Sequence, residues 1–118
     1  MARLFVDGPD LVVGLSWLEK LGAVHGNVRV PLSAGRSAVA EPNPWDALRG
    51  VKLAGTGIPG VAVLGTRRFD GGKVFAAVRG GRPAVRVDLG DGSPFGRLVV
   101  SVDDPGGTVA AIRSAAGI

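Results

Sequence analysis

A mainly β domain that ends in a single helix is the fold this sequence predicts, and three observations predict it. Short Val-rich runs recur at intervals of about ten residues. Glycine and proline, 20 and 8 in number, separate those runs instead of clustering, so they read as turns between strands. Asp103-Asp104-Pro105 then announces a helix that carries the chain to its end.

Taken in order, Leu4 to Asp7 begins a strand, Gly8-Pro9-Asp10 turns, and Leu11 to Leu15 resumes the apolar run. Ser16 to Gly22 reads as a helix of about two turns: Ser16 caps it, Glu19 stands three residues later, and Gly22 ends it. Asn27 to Leu32 alternates, with Val28 and Val30 on one face and Arg29 on the other, as a half-buried strand does. Gly35 to Glu41 carries a weaker signal, extended over Ser37 to Ala40, and Pro42-Asn43-Pro44 breaks whatever precedes it. Trp45 to Arg49 reads either as a helical turn or as a loop that packs its tryptophan. A glycine-rich loop is expected over Gly55, Gly57, Pro59 and Gly60. Strands are expected over Val61–Thr66, Lys73–Val78, Ala84–Leu89 and Arg97–Val102, with turns at 67–72, 79–82 and 90–94. Asp104 caps the last helix, Pro105 opens it, and Val109, Ile112 and Ala116 give it an apolar stripe. About seven strands followed by one helix suggest an antiparallel barrel or sandwich, and the lack of β-α-β alternation argues against parallel pairing.

The 118 residues suit one domain, and a hydrophobic content of 46% is enough to build a core without metals or disulfides. There is no cysteine, which removes thiolate chemistry and any disulfide framework. No apolar run approaches the roughly 20 residues that span a bilayer, and no secretory leader is visible, so a cytoplasmic protein is expected. A net charge of +4 is within what small domains use for solubility, although a basic surface also attracts phosphates.

Little in the chain resembles catalytic machinery. Gly55, Gly57 and Gly60 match G-x-G-x-x-G, yet a dinucleotide fold requires a helix after the loop, and Val61-Ala62-Val63-Leu64 reads as a strand. His25 is the one histidine; it lacks a G-x-S-x-G nucleophile elsewhere and reads as a turn residue. One histidine without cysteine does not make a zinc site. Asp103-Asp104 is explained by helix capping, and Glu19 and Glu41 are isolated in the sequence. No catalytic residue, metal or cofactor is expected, and the domain is read as not an enzyme.

Two groups of residues point to binding. Arg67, Arg68, Lys73, Arg79 and Arg82 lie close together with Asp70 alone opposing them, a candidate anion site if the strands converge. Against this, arginines at turns and on strand faces are often simply solvated. Trp17 and Trp45 stand in short helix-like segments; each either covers an opening of a barrel or anchors an interface.

Val51-Lys52-Leu53-Ala54-Gly55-Thr56-Gly57-Ile58-Pro59-Gly60, followed by Leu64-Gly65-Thr66-Arg67-Arg68, resembles the bacterial pleckstrin-homology-like (PH-like) domains. Val30-Pro31-Leu32-Ser33 and Leu98 to Pro105 are similar to the same family's early strand end and its approach to the closing helix. The resemblance covers roughly residues 28 to 113. It implies that residues 1–118 form a single PH-like domain, a partly open seven-stranded barrel capped by the C-terminal helix. It implies no catalytic residues. The function expected is a non-catalytic interaction module that binds protein, its own copies included. The alternative is an anion or lipid-headgroup site on the arginine cluster, and nucleic acid is the weakest expectation because aromatic stacking residues are few.

Overall fold

The computed structural model describes residues 2–23, 26–42, 51–58, 62–69, 72–80, 82–90 and 92–118. Alternation builds its first sheet. β1 (Arg3–Asp7) and β2 (Asp10–Gly14) form a hairpin, and β3 (Val28–Pro31) pairs antiparallel with β2. Gly8, at φ 59°, supplies the positive φ that a two-residue hairpin loop needs. The register aligns Leu4 with Val13 and Val28, and Val6 with Leu11 and Val30, so one face is apolar. The opposite face carries Arg3, Phe5, Asp7, Asp10 and Arg29, with the buried Val12 in register between Phe5 and Arg29.

Between β2 and β3 lies α1 (Trp17–Ala23), which begins where a capping box was predicted. The Glu19 N–H donates to Ser16 Oγ at 3.2 Å, and the Ser16 N–H donates back to Glu19 Oε1 at 3.0 Å. A 3-10 turn over Leu32–Ala34 leads into the second sheet.

That sheet is built from β4 (Gly35–Glu41), β5 (Val51–Ile58), β6 (Ala62–Phe69), β7 (Gly72–Arg79), β8 (Ala84–Leu89) and β9 (Arg97–Ser101). Its six strands run in the order β4-β8-β9-β7-β6-β5. The strand count and pairing both depart from expectation. Among the described residues nine strands, three in one sheet and six in the other, stand where about seven were expected, and no closed barrel is formed. One pairing is parallel: β9 returns from β8 as a hairpin and inserts between β8 and β7, matching Phe75 with Leu98 and Ala77 with Val100. A parallel pair normally needs a helical crossover. Here β8, antiparallel to both of its flanking directions, brings the chain back instead, so the absence of β-α-β alternation did not exclude it.

The two sheets share one core. Leu4, Leu11, Val13, Val28 and Val30 from the first pack with Phe75, Val85, Val87, Leu98 and Val100 from the second. A smaller cluster of Val63, Val74, Ala76, Val78, Ala84 and Val99 occupies the second sheet's other face. The closing helix, α2 (Pro105–Ala116), buries Val109 and Ile112 in the main core and packs against β1 and β4, an edge strand of each sheet. Its Arg113 Nε donates to the Ala38 carbonyl of β4 at 2.9 Å.

The start of α2 is held by its cap rather than by helix propensity. Asp104 Oδ1 accepts from the Gly107 N–H at 3.1 Å and Pro105 occupies the first turn, while Gly106 and Gly107 are poor helix formers. A Cβ on Gly107 would collide with the Asp104 carboxylate, whereas one on Gly106 meets nothing nearer than Asp104 Oδ1 at 4.0 Å. Gly106→Ala is therefore expected to stabilise the domain by about 0.5–1 kcal/mol, and Gly107→Ala to gain less or lose. Thermal melts would register the first as a rise of about 2–6 °C.

Candidate functional site

The candidate basic cluster divides between the two ends of β7. At the β6–β7 hairpin, Arg68 stands opposite Lys73 and Arg67 opposite Val74, with Lys52 of β5 in register with Arg67. Arg67 is half-buried and its Nε is buried without a hydrogen-bond partner. Arg79 stands at the far end of β7, six residues from Lys73 and thus about 20 Å along an extended strand. Its Nη2 lies 3.6 Å from Glu19 Oε2. Arg82, past that end, reaches Asp103 at 3.5 Å across an exposed gap. The five cations therefore do not line one surface: Arg67, Arg68 and Lys73 share the hairpin end, while Arg79 and Arg82 face acids at the other. Proximity in sequence across a hairpin and an eight-residue strand concealed that separation.

The other candidates also move. Trp17 is 72% exposed and Leu18 75%, so Trp17 covers no opening of a barrel. Its solvent-facing position on the first turn of α1 follows from the capping box, which turns Glu19 inward. Gly55 and Gly57 are not loop residues; they lie in β5, opposite Gly65 and Val63. The Gly55–Gly65 row sits next to a register shift between Lys52 and Ala54, and Gly65 takes φ 131°. Glycine in a strand marks such irregularities as readily as it marks a loop. Trp45, Pro59, Gly60 and His25 lie outside the described residues.

Sequence reading did not anticipate that Glu19, 1% exposed, is a buried hub. Its Oε2 accepts from the Ala2 N–H at 2.8 Å while Oε1 accepts from Ser16, tying the start of the chain to α1, with Arg79 alongside. Burial by itself raises the pKa of this carboxyl. The hydrogen bonds from Ser16 and Ala2 outweigh it, and the group is held below its ordinary value.

A second arrangement missed by the sequence is the edge of β1. A groove of about 480 Å³ runs between β1 and α2, walled by Leu4, Phe5, Val6, Thr108, Ala111 and Ile112. A second hollow, of about 290 Å³, continues it past Ala2, Arg3, Val102 and Asp103. Ala2 and the β1 residues Arg3 to Val6 line these hollows consecutively. Because side chains alternate between faces, a strand that presents a face lines a cavity with every second residue. Consecutive lining means that the edge itself, with its backbone groups, borders the groove. Phe5 is 38% exposed beside it, and the Arg3 guanidinium lies 5.2 Å from its ring centroid.

At the hairpin end of β1, Arg29 clamps two carboxylates that the register sets opposite one another. Its Nη2 lies 2.7 Å from Asp7 and its Nη1 2.9 Å from Asp10. The hydrogen bonds from this guanidinium to Asp7 and Asp10 hold its pKa above the ordinary value. On the second sheet a comparable network joins Arg86 to Glu41 and Asp88, and Arg97 to Asp88 at 2.7 Å.

Among the described residues no group of three or more His, Cys, Asp or Glu side chains comes together as a metal site, and no helix is long and apolar enough to cross a membrane. No protein-family model, curated protein or solved structure matches the chain. Its class is a mainly β domain of two sheets, with a C-terminal helix packed against both.

Proposed function

We propose that this domain is a non-catalytic protein-interaction module that receives an extended segment of a partner on the free edge of β1, within the groove against α2. The observation that carries this reading is the consecutive lining of the groove by Ala2 to Val6, which leaves strand backbone facing open space. Unpaired N–H and C=O groups along an edge are a template for another strand, and neighbouring apolar walls supply specificity. The walls formed by Phe5, Ala111 and Ile112 suit apolar side chains of the guest, and Asp103, beside the second hollow, suits a basic one. In this reading the fold is a PH-like variant. The barrel is left open as two sheets, and α2 stands at the seam between β1 and β4.

The competing anion reading draws support from the β6–β7 hairpin end, where the register sets Arg68 opposite Lys73, with Arg67 next to it in β6. One binding screen separates the two. The domain would be presented with a library of extended ten-residue peptides and, in parallel, with vesicles carrying phosphoinositides. The expected result is selection of peptides with alternating apolar residues, protection of the Leu4 and Val6 amides from hydrogen exchange, and at least about tenfold weaker binding by Val6→Pro, which removes an edge donor. Binding to the vesicles alone, lost in Arg67→Ala, would transfer the function to the cationic end. Binding to neither would end the proposal.

A further inference from the structure

We infer that the segment that occupies the β1 edge is β1 of a second copy, paired antiparallel about a two-fold axis through Phe5; this rests on the edge reading above. The sequence of β1 is Arg-Leu-Phe-Val-Asp. Reversed against itself with Phe5 at the centre, it sets Phe5 opposite Phe5, Leu4 opposite Val6, and Arg3 opposite Asp7 at both ends. Opposite charges directly across an antiparallel pair are favourable and like charges are not, so among possible registers this one alone matches both ends. A two-fold interface must be self-complementary in this way.

The backbone agrees. The β1–β2 hairpin has a two-residue loop, Gly8-Pro9, and closes on the pair Asp7 and Asp10. Such a hairpin closes on a hydrogen-bonded pair, and hydrogen-bonded pairs alternate with non-bonded ones. Asp7, Phe5 and Arg3 thus point their backbone groups at β2, while Leu4 and Val6 point theirs outward. With the axis at Phe5, the outward groups of Leu4 meet those of Val6 in the other copy, which yields four hydrogen bonds and leaves no outward group of the two residues unused.

Charge on the page also fits. Arg3 has no carboxylate partner among the described residues; its one described contact is the Phe5 ring. Asp7 gives Oδ2 to Arg29 Nη2 at 2.7 Å, and a carboxylate retains acceptor sites for a second guanidinium. Two other edge strands, β3 and β4, are guarded. β3 has four residues and ends in Pro31, which has no N–H, and the β4 edge has its Ala38 carbonyl taken by Arg113. β1 has no proline, no lysine and no bulge. Pairing would join two three-stranded sheets into one of six strands and place the two Phe5 rings side by side on its outer face.

The test is equilibrium sedimentation of the intact chain at low salt, over concentrations up to about 1 mM, with Arg3→Glu, Asp7→Lys and Asp7→Asn. Exposed charge pairs are screened at high salt, so low salt gives the widest contrast. Wild type is expected to dimerise. Arg3→Glu and Asp7→Lys alone each place like charges at both ends and are expected to weaken the dimer at least tenfold. Mixed in equal amounts they become complementary at both ends, and a heterodimer of near wild-type strength is expected. Asp7→Asn, which keeps the shape and one hydrogen-bond acceptor, should fall between, and circular dichroism confirms that each variant is folded. A wild-type dimer that Arg3→Glu leaves unchanged, or variants that do not recover on mixing, would overturn the proposal. A wild-type monomer would overturn it too. If edge-binding peptides still protect the Leu4 and Val6 amides, the edge reading survives that outcome; if none do, both fall together.

Discussion

Phe75→Ala is expected to destabilise the domain by about 3–5 kcal/mol, the range for deleting a buried aromatic ring. The ring is wholly buried in β7, between Thr66 of β6 and Leu98 of β9 in register, and meets Phe95 edge-on with centroids 5.6 Å apart. Two effects add. The transfer term is large because a whole ring loses its contacts, and the cavity would lie under the parallel β7–β9 pair, where the backbone of three strands limits collapse. The ring also anchors the connection between β8 and β9. Phe95 belongs to a segment tied by the Gly96 N–H to the Lys73 carbonyl at 2.8 Å and by the Ser93 hydroxyl to the Phe95 carbonyl at 2.7 Å. Phe75→Leu, which retains much of the volume, should cost under about 2 kcal/mol. Urea denaturation would show a lower midpoint at unchanged slope for both; a slope change in the alanine variant would mean that β9 has left the sheet.

Glu19→Ala is expected to cost about 2–4 kcal/mol, although it removes one small side chain from a short helix. The loss leaves the buried Ala2 N–H and the part-buried Ser16 N–H without their acceptor. Arg79 contributes less: its side chain is 43% exposed at 3.6 Å and can be hydrated once the acid is gone. Glu19→Gln keeps one carbonyl acceptor but turns an amide N–H₂ toward a second donor, so it should recover only part of the loss.

The pH dependence follows from the same contacts. In the unfolded chain this carboxyl titrates near 4.5, and in the folded domain it titrates lower. A depressed folded pKa contributes stability that is complete above the unfolded value and disappears as pH falls through the folded one. The stability difference between wild type and Glu19→Gln should therefore be constant from pH 7 down to about 5 and shrink below about 4.5. A difference that grew on acidification would show that burial, which pushes the other way, dominates this site.

Local chemistry was legible wherever a short stretch of chain decides its own conformation. Ser16 and Glu19 announced the capping box, Asp104 and Pro105 the last helix, and the alternation of Val85, Val87 and Leu89 the inward face of β8. The same reasoning failed at Gly55 and Gly57, because glycine permits both a loop and an irregular strand, and only the partner strand β6 decided between them. It failed again for the arginines. A list of positions 67 to 82 holds no information on which end of β7 each residue occupies.

The sequence by itself determined the class of the domain: mainly β, closed by a capped helix, with the elements in nearly the right places. Propensity, capping and alternation are properties of a few neighbouring residues and act before the chain is folded. Tertiary structure alone decided the insertion of β9 between β7 and β8, the burial of Glu19 and the open edge of β1 against α2. Each of these depends on which distant segments meet, a matter of packing between sheets that no local pattern encodes.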